Sequence, residues 1–263
     1  MSDTLLSFVL GVIQGLTEFL PISSSAHLLL PSLLFGLNDL GLSFDIAVHA
    51  GTLIAVVYYF RKEIALMFKS FFLSDENLLP HRNLAISLIV ATVPIVLAGL
   101  FVKDLIEQRI FNVEHIALAN IIFAGILLFA YLKRKDIKNL YSVTLYSALF
   151  VGVFQSLALL PGASRSGTAI TAALLLGFNL KDASKFSFML GIPTIFGALV
   201  LLLFEMQSTL EAFNYMNLLI GFFISMIIAF LTIKLFLNFV EKIGMIPFVI
   251  YRIILGVFLI ILI

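Results

Sequence analysis

Long apolar runs constrain this chain more than any other feature. Residues 44–60, 84–102, 114–132, 186–204, 217–238 and 246–263 are six such runs, and most reach the about 17–25 residues a helix needs to cross a bilayer core. Lipid offers no partner to a backbone N–H or C=O, so a spanning run must satisfy its own backbone as a helix. Composition agrees. With 62% hydrophobic residues, 12% charged residues and a mean hydropathy of +1.16, a 263-residue soluble domain could not hide its apolar surface. The 27 Phe suit a lipid-facing exterior, and with no Trp the interfacial belt falls to Tyr and Phe. The absence of Cys excludes a disulfide framework, thiolate chemistry and Cys-based metal sites. A formal charge of +1 offers nothing to nucleic acid. The N-terminal apolar run lacks a basic leader and a small-residue cleavage site, so it is expected to remain in the mature protein.

Two other apolar regions, 4–43 and 145–180, are interrupted near their middles by 21-PISSS-25 and 161-PGASRSG-167. Pro removes a backbone donor, while Gly and Ser favour turns. Each region should therefore form two short helices with a bend, a re-entrant hairpin. The expected fold is all-α, with six transmembrane helices and two such hairpins.

Lys and Arg set the orientation. The 61–82 loop carries Arg61, Lys62, Lys69 and Arg82, and the 133–138 loop carries Lys133, Arg134, Lys135 and Lys138, so both should be cytoplasmic. The 103–114 loop balances Lys103 and Arg109 against Asp104, Glu107 and Glu114, and the 205–216 loop holds Glu205 and Glu211 with no basic residue. Those two belong outside, as do both termini. The second broken region then enters and leaves on the cytoplasmic side, and the first does so from outside.

That antisymmetry predicts an inverted repeat with halves of about 1–138 and 139–263. Both 11-GVIQGLTEFLPISSSAH-27 and 152-GVFQSLALLPGASRSG-167 contain a Gln followed by a Pro, with a Ser three residues beyond it, Ser24 and Ser164. Inverted repeats with broken helices place a site where the breaks meet, near the midplane.

Ionisable groups at membrane depth are expensive and are commonly kept for function. Glu18, His27 and Arg165 all fall in or beside the breaks. Gln14 and Glu18, four apart, share one face of a short helix. The opposite break supplies Ser164, Arg165, Ser166 and Thr168, where hydroxyls, a helix N-terminus and a planar guanidinium make an anion site. A base and proton shuttle at one tip and a phosphate clamp at the other suit phosphoryl transfer. Plainer readings stand beside these. Glu18 and Arg165 can be a structural ion pair, His27 a satisfied loop histidine, and Ser23 and Ser25 turn residues. Asp45 and His49 read as interfacial or neighbouring groups, His81 and His115 as loop residues, and Lys234 as a snorkelling cation.

With these residues in place, the whole chain resembles the bacterial undecaprenyl-diphosphate phosphatases of the bacitracin-resistance type. The resemblance rests on 14-QGLTE-18, continuing FLPISSSAH, and on 161-PGASRSG-167. It implies removal of the terminal phosphate of undecaprenyl diphosphate, which recycles the lipid carrier for cell-wall polymers. It also implies a divalent metal and a site open to the outer face of the cytoplasmic (inner) membrane. Glu18, Ser24, His27 and Arg165 occupy the family's catalytic positions, with Ser164, Ser166, Gly162 and Thr168 beside Arg165 on the substrate. Gln14 stands at the first-acid position and cannot be an anionic metal ligand. The sequence 164-SRSGTA-169 places at Thr168 a hydroxyl that the family often carries at 169.

The expectation is thus a membrane phosphatase in which Arg165 binds the diphosphate, a Mg²⁺ or Ca²⁺ sits near Glu18 and Gln14, and Glu18 and His27 handle protons. The nucleophile stays open between Ser24, His27 and water, and a homodimer is among the expected assemblies. The rival from another class is a secondary transporter or flippase of a prenyl phosphate lipid.

Overall fold

A computed structural model describes residues 2–107, 112–206 and 214–262. Among them the chain is helical throughout, with one isolated bridge between Lys138 and Phe178 in place of any strand. Five segments are long and apolar enough to cross a membrane: α3 (Gly41–Tyr59), Glu76–Phe101 within and before α5 (Leu79–Glu107), α6 (Val113–Lys133), α9 (Leu180–Met206) and α10 (Tyr215–Ile243). The sixth expected run forms α11, Ile246–Leu262, whose 17 residues reach about 26 Å at the helical rise. Large apolar side chains lie exposed along these helices, among them Phe196, Ile227, Phe258 and Ile261, as lipid-facing walls require. The protein is a multi-pass membrane protein.

Two expected loops are shorter than the sequence suggests. Helix α5 runs through 103–107 and α9 through 205–206, while positions 108–111 and 207–213, with Arg109 and Glu211, lie outside the described residues. The 61–82 loop contains an amphipathic helix, α4 (Arg61–Lys69). Its Met67 is buried while Phe68 is exposed, and its 3.6-residue pattern is too brief to stand out beside the long runs.

Both broken regions bend where Pro and Ser predict. In the first, α1 (Asp3–Thr17) stops before Glu18 and α2 (Ser24–Phe35) begins after Ser23. In the second, α7 (Leu145–Ser156) is followed by a 3₁₀ turn at Leu157–Leu159, and α8 (Arg165–Leu175) begins after Ser164. Ser23 and Ser164 precede their helices in the same unusual conformation, φ 72°, a left-handed value that costs a non-glycine residue of order 1 kcal/mol or more. Ser23 Oγ lies 3.3 Å from Ser25 Oγ, and Ser164 Oγ 3.3 Å from Ser166 Oγ. The breaks therefore correspond as Ser23 to Ser164 and Ser24 to Arg165, a one-residue correction to the pairing of Ser24 with Ser164. Counting from Pro misleads because the two prolines stand at different distances from the helices before them. Gln14 to Ser23 and Gln155 to Ser164 are both nine residues.

Helices α1 and α3 pack on α10, while α7 and α9 pack on α5. Close approach needs glycine. A Cβ on Gly51 would come within 2.3 Å of Phe222 O, and one on Gly152 within 2.4 Å of Ala91 O. Small residues at such crossings let backbones touch where lipid gives no hydrophobic drive. Phe19, fully buried, meets Phe188 edge-on at 5.3 Å and plugs the floor of the first break.

Candidate active site

The site is built around Glu18, the residue after α1, which is only 6% exposed. Its Oε1 accepts from Arg165 Nη2 at 2.9 Å. Its Oε2 accepts from Ser24 Oγ at 2.6 Å and from Gln14 Nε2 at 3.0 Å. Ser24 and Arg165 are the first residues of α2 and α8, so two helix N-termini converge on one carboxylate. Both termini favour anions through their free N–H groups and dipoles.

Ser166 Oγ donates to Leu20 O at 2.9 Å, tying the second break to the first. Arg165 sits in a slot that Gly191 leaves open, because a Cβ there would lie 2.6 Å from Nη1. The guanidinium carbon is 5.9 Å from the centroid of the Phe19 ring. Its Nη1 is buried with no hydrogen-bond partner. That donor is packed against Gly191, and a buried donor left without an acceptor is costly.

The remaining expected residues divide. Ser164 Oγ accepts from Gly167 N at 3.1 Å and caps α8. Thr168 Oγ1 donates to Arg165 O at 3.0 Å, so its hydroxyl is committed within its own helix. Gly162 turns at φ 97° with its carbonyl facing Arg252. His27 does not reach Glu18 by any hydrogen bond. Its Nδ1 meets Ser23 O at 2.7 Å and its Nε2 meets Tyr251 Oη at 2.5 Å.

Three neighbours extend the site. His49 Nε2 lies 3.9 Å from Glu18 Oε2 while its Nδ1 meets the backbone carbonyl of Asp45 at 2.8 Å, so His49 stands beside the carboxylate. Arg252 of α11, fully buried, donates Nη1 to Pro21 O at 3.4 Å and Nη2 to Gly162 O at 2.8 Å and Ala163 O at 3.0 Å. One side chain thereby holds both breaks. Its signal was visible: a single arginine inside 246-IPFVIYRIILGVFLIIL-262 is an intramembrane charge. Tyr251, beside it, carries no such mark.

Comparison with known proteins decides the family. The bacitracin resistance protein BacA family matches residues 7–258. The chain belongs to the BacA bacitracin-resistance family. A relative from Saccharophagus degradans named undecaprenyl-diphosphatase is 48% identical over 258 residues, 97% of this chain and 96% of its own length. Another from Pseudoalteromonas translucida, named undecaprenyl-diphosphatase 1, is 44% identical over 257 residues, 96% of each.

For the divalent metal expected of a BacA-family member, the decisive observation is at Gln14. A carboxylate can only accept, so the Gln14 amide must turn its NH₂ to Glu18. That leaves Oε1 buried without a partner. With its NH₂ on Glu18, the Gln14 amide directs Oε1 away from the carboxylate, so in this arrangement Glu18 is the one anionic oxygen donor of the pair that Mg²⁺ or Ca²⁺ could take. Among the described residues no cluster of three or more His, Asp or Glu forms a cage.

Proposed function

We propose that this chain is an undecaprenyl-diphosphate phosphatase, releasing the terminal phosphate from the lipid diphosphate and so recycling the carrier used for cell-wall polymers. Turnover of this pool is what opposes bacitracin. The observation that carries the reading is the meeting of Ser24 and Arg165, from two helix N-termini, on the buried carboxylate of Glu18. Its family and the names of its relatives support the same substrate.

In this reading the terminal phosphate is bound by the Arg165 guanidinium, with N–H groups of the α2 and α8 first turns around its oxygens. A planar fork suits phosphate better than a point charge. Ser24 is the nucleophile. Its Oγ bonds to phosphorus, its proton passes to Glu18 Oε2, and the bridging P–O bond breaks to release undecaprenyl phosphate. Glu18 hands that proton to the departing undecaprenyl phosphate and, a carboxylate again, takes one from the water that attacks the phosphoserine; the Oγ–P bond breaks, phosphate leaves, and the proton returns to Ser24 Oγ. His27, with both ring nitrogens engaged, handles protons and does not attack phosphorus. Glu18, with Gln14 beside it, would hold a divalent cation, and the chemistry it would supply is neutralisation of phosphate charge.

The architecture is six spans with α1/α2 and α7/α8 as opposed re-entrant hairpins, in an inverted repeat of about 1–138 and 139–263. The reciprocal packing of α1 and α3 on α10, and of α7 and α9 on α5, supports it. The protein resides in the bacterial cytoplasmic membrane with its site open to the outer side.

The test is phosphate release from detergent-solubilised undecaprenyl diphosphate. The wild type should release phosphate, lose activity in chelator and regain it with Mg²⁺ or Ca²⁺. Ser24→Ala should be slower by on the order of 10⁴-fold. No release by the wild type would point to the transporter reading; Ser24→Ala at near-normal rate would make water the nucleophile.

A further inference from the structure

His27 has no partner of fixed polarity at its outer nitrogen. Its Nδ1 faces Ser23 O at 2.7 Å; a carbonyl only accepts, so Nδ1 carries a proton in every state of the ring. Its Nε2 faces Tyr251 Oη at 2.5 Å, across rings only 12° from parallel with centroids 5.6 Å apart. A phenol hydroxyl can donate to a neutral Nε2 or accept from a protonated one. It is therefore a partner that suits both states without moving the ring.

The carbonyl that His27 holds is also special. Ser23 is the φ 72° residue that launches α2, and the next side chain is Ser24 on Glu18. The backbone N–H of His27 converges on the same Ser23 oxygen, at 3.4 Å. The chain of contacts runs from Tyr251 on α11, through His27, to the strained turn that aims the Ser24 hydroxyl. Tyr251 adjoins Arg252, so α11 grips the first break twice: at Pro21 O through the guanidinium and at His27 through the phenol.

We propose that Tyr251 is a positioning residue for His27, holding the imidazole in one orientation through gain and loss of its proton and thereby holding the turn that presents Ser24. This rests on the reading of His27 as a proton carrier in the phosphatase reaction.

The experiment uses the full chain in detergent with ¹⁵N-labelled histidine, in wild type and Tyr251→Phe, which keeps the ring and removes only the hydroxyl. The four histidines are distinguished by the signal lost in His27→Asn. At neutral pH wild-type His27 should show a protonated Nδ1 and a hydrogen-bonded, unprotonated Nε2. In Tyr251→Phe the Nε2 resonance should move toward that of a bare imidazole nitrogen. Turnover should fall on the order of tenfold, with KM little changed. Tyr251→Gln, whose amide can donate or accept, should restore part of the rate. An Nε2 signal that does not move overturns the positioning role, whatever the rate does. A signal that moves while the rate stays at wild type keeps the contact and overturns His27 as proton carrier.

Discussion

Glu18 is reached by three donors and a nearby imidazole, and the longest of those donor side chains, Arg165, depends on space left by a glycine. The guanidinium occupies a slot defined by the missing side chain of Gly191, with Nη1 only 2.6 Å from where a Cβ would stand. Gly191→Ala should leave the fold intact, because the end of an arginine can swing aside, but should move the fork off its line to the phosphate. We expect KM to rise and kcat/KM to fall by about tenfold to a hundredfold, since a small misplacement of a positioning group is amplified in rate. Steady-state kinetics would measure it, and an unchanged kcat/KM would show that the fork is not held by this slot. Glu18, Arg165, Ser24 and Gln14 were legible in the sequence, because charges and amides stand out in apolar runs. The slot was not: a glycine in a span gives no sign of which side chain fills the space beside it.

Among the elements, α11 is where prediction from sequence fell shortest. Its apolar pattern announced a span, while Arg252 and Tyr251 inside it announce a tether. Arg252 donates to carbonyls of both breaks, Pro21 on one side and Gly162 and Ala163 on the other. Turn carbonyls in an apolar interior have few other partners, and each left bare costs about 1–3 kcal/mol. Arg252→Met keeps much of the apolar stem and removes every donor. It should destabilise the protein by about 3 kcal/mol or more and abolish turnover. Thermal unfolding in detergent alongside phosphate release would check both, and a stable, active Met variant would refute the tether. The breaks themselves were legible because Pro and clustered Ser act locally. Their exact correspondence was not, since it lies in backbone conformation at Ser23 and Ser164, which residue identity alone does not reveal. Helix α4 was hidden for another reason. Nine residues give too few turns for an amphipathic period to be distinguished from a polar loop.

For the whole molecule, the proposed topology has the 133–138 segment inside and the first break facing outward. A Cys introduced at Lys135 in this Cys-free chain should resist an impermeant reagent applied from outside and react after permeabilisation. Labelling from outside would invert the arrangement. At this scale the all-helical, multi-pass character was legible, because span length and hydropathy follow from the bilayer itself. Where the two breaks meet, one ion pair brings the base and the clamp together, Arg165 to Glu18 at 2.9 Å. The most direct test of the account is therefore to separate binding from turnover at that pair. Glu18→Gln keeps the shape of the side chain and a carbonyl acceptor for Arg165 but removes the base. Purified Glu18→Gln should bind undecaprenyl diphosphate with wild-type affinity or better, while releasing phosphate on the order of hundreds-fold more slowly. Near-normal phosphate release by that variant would contradict the account.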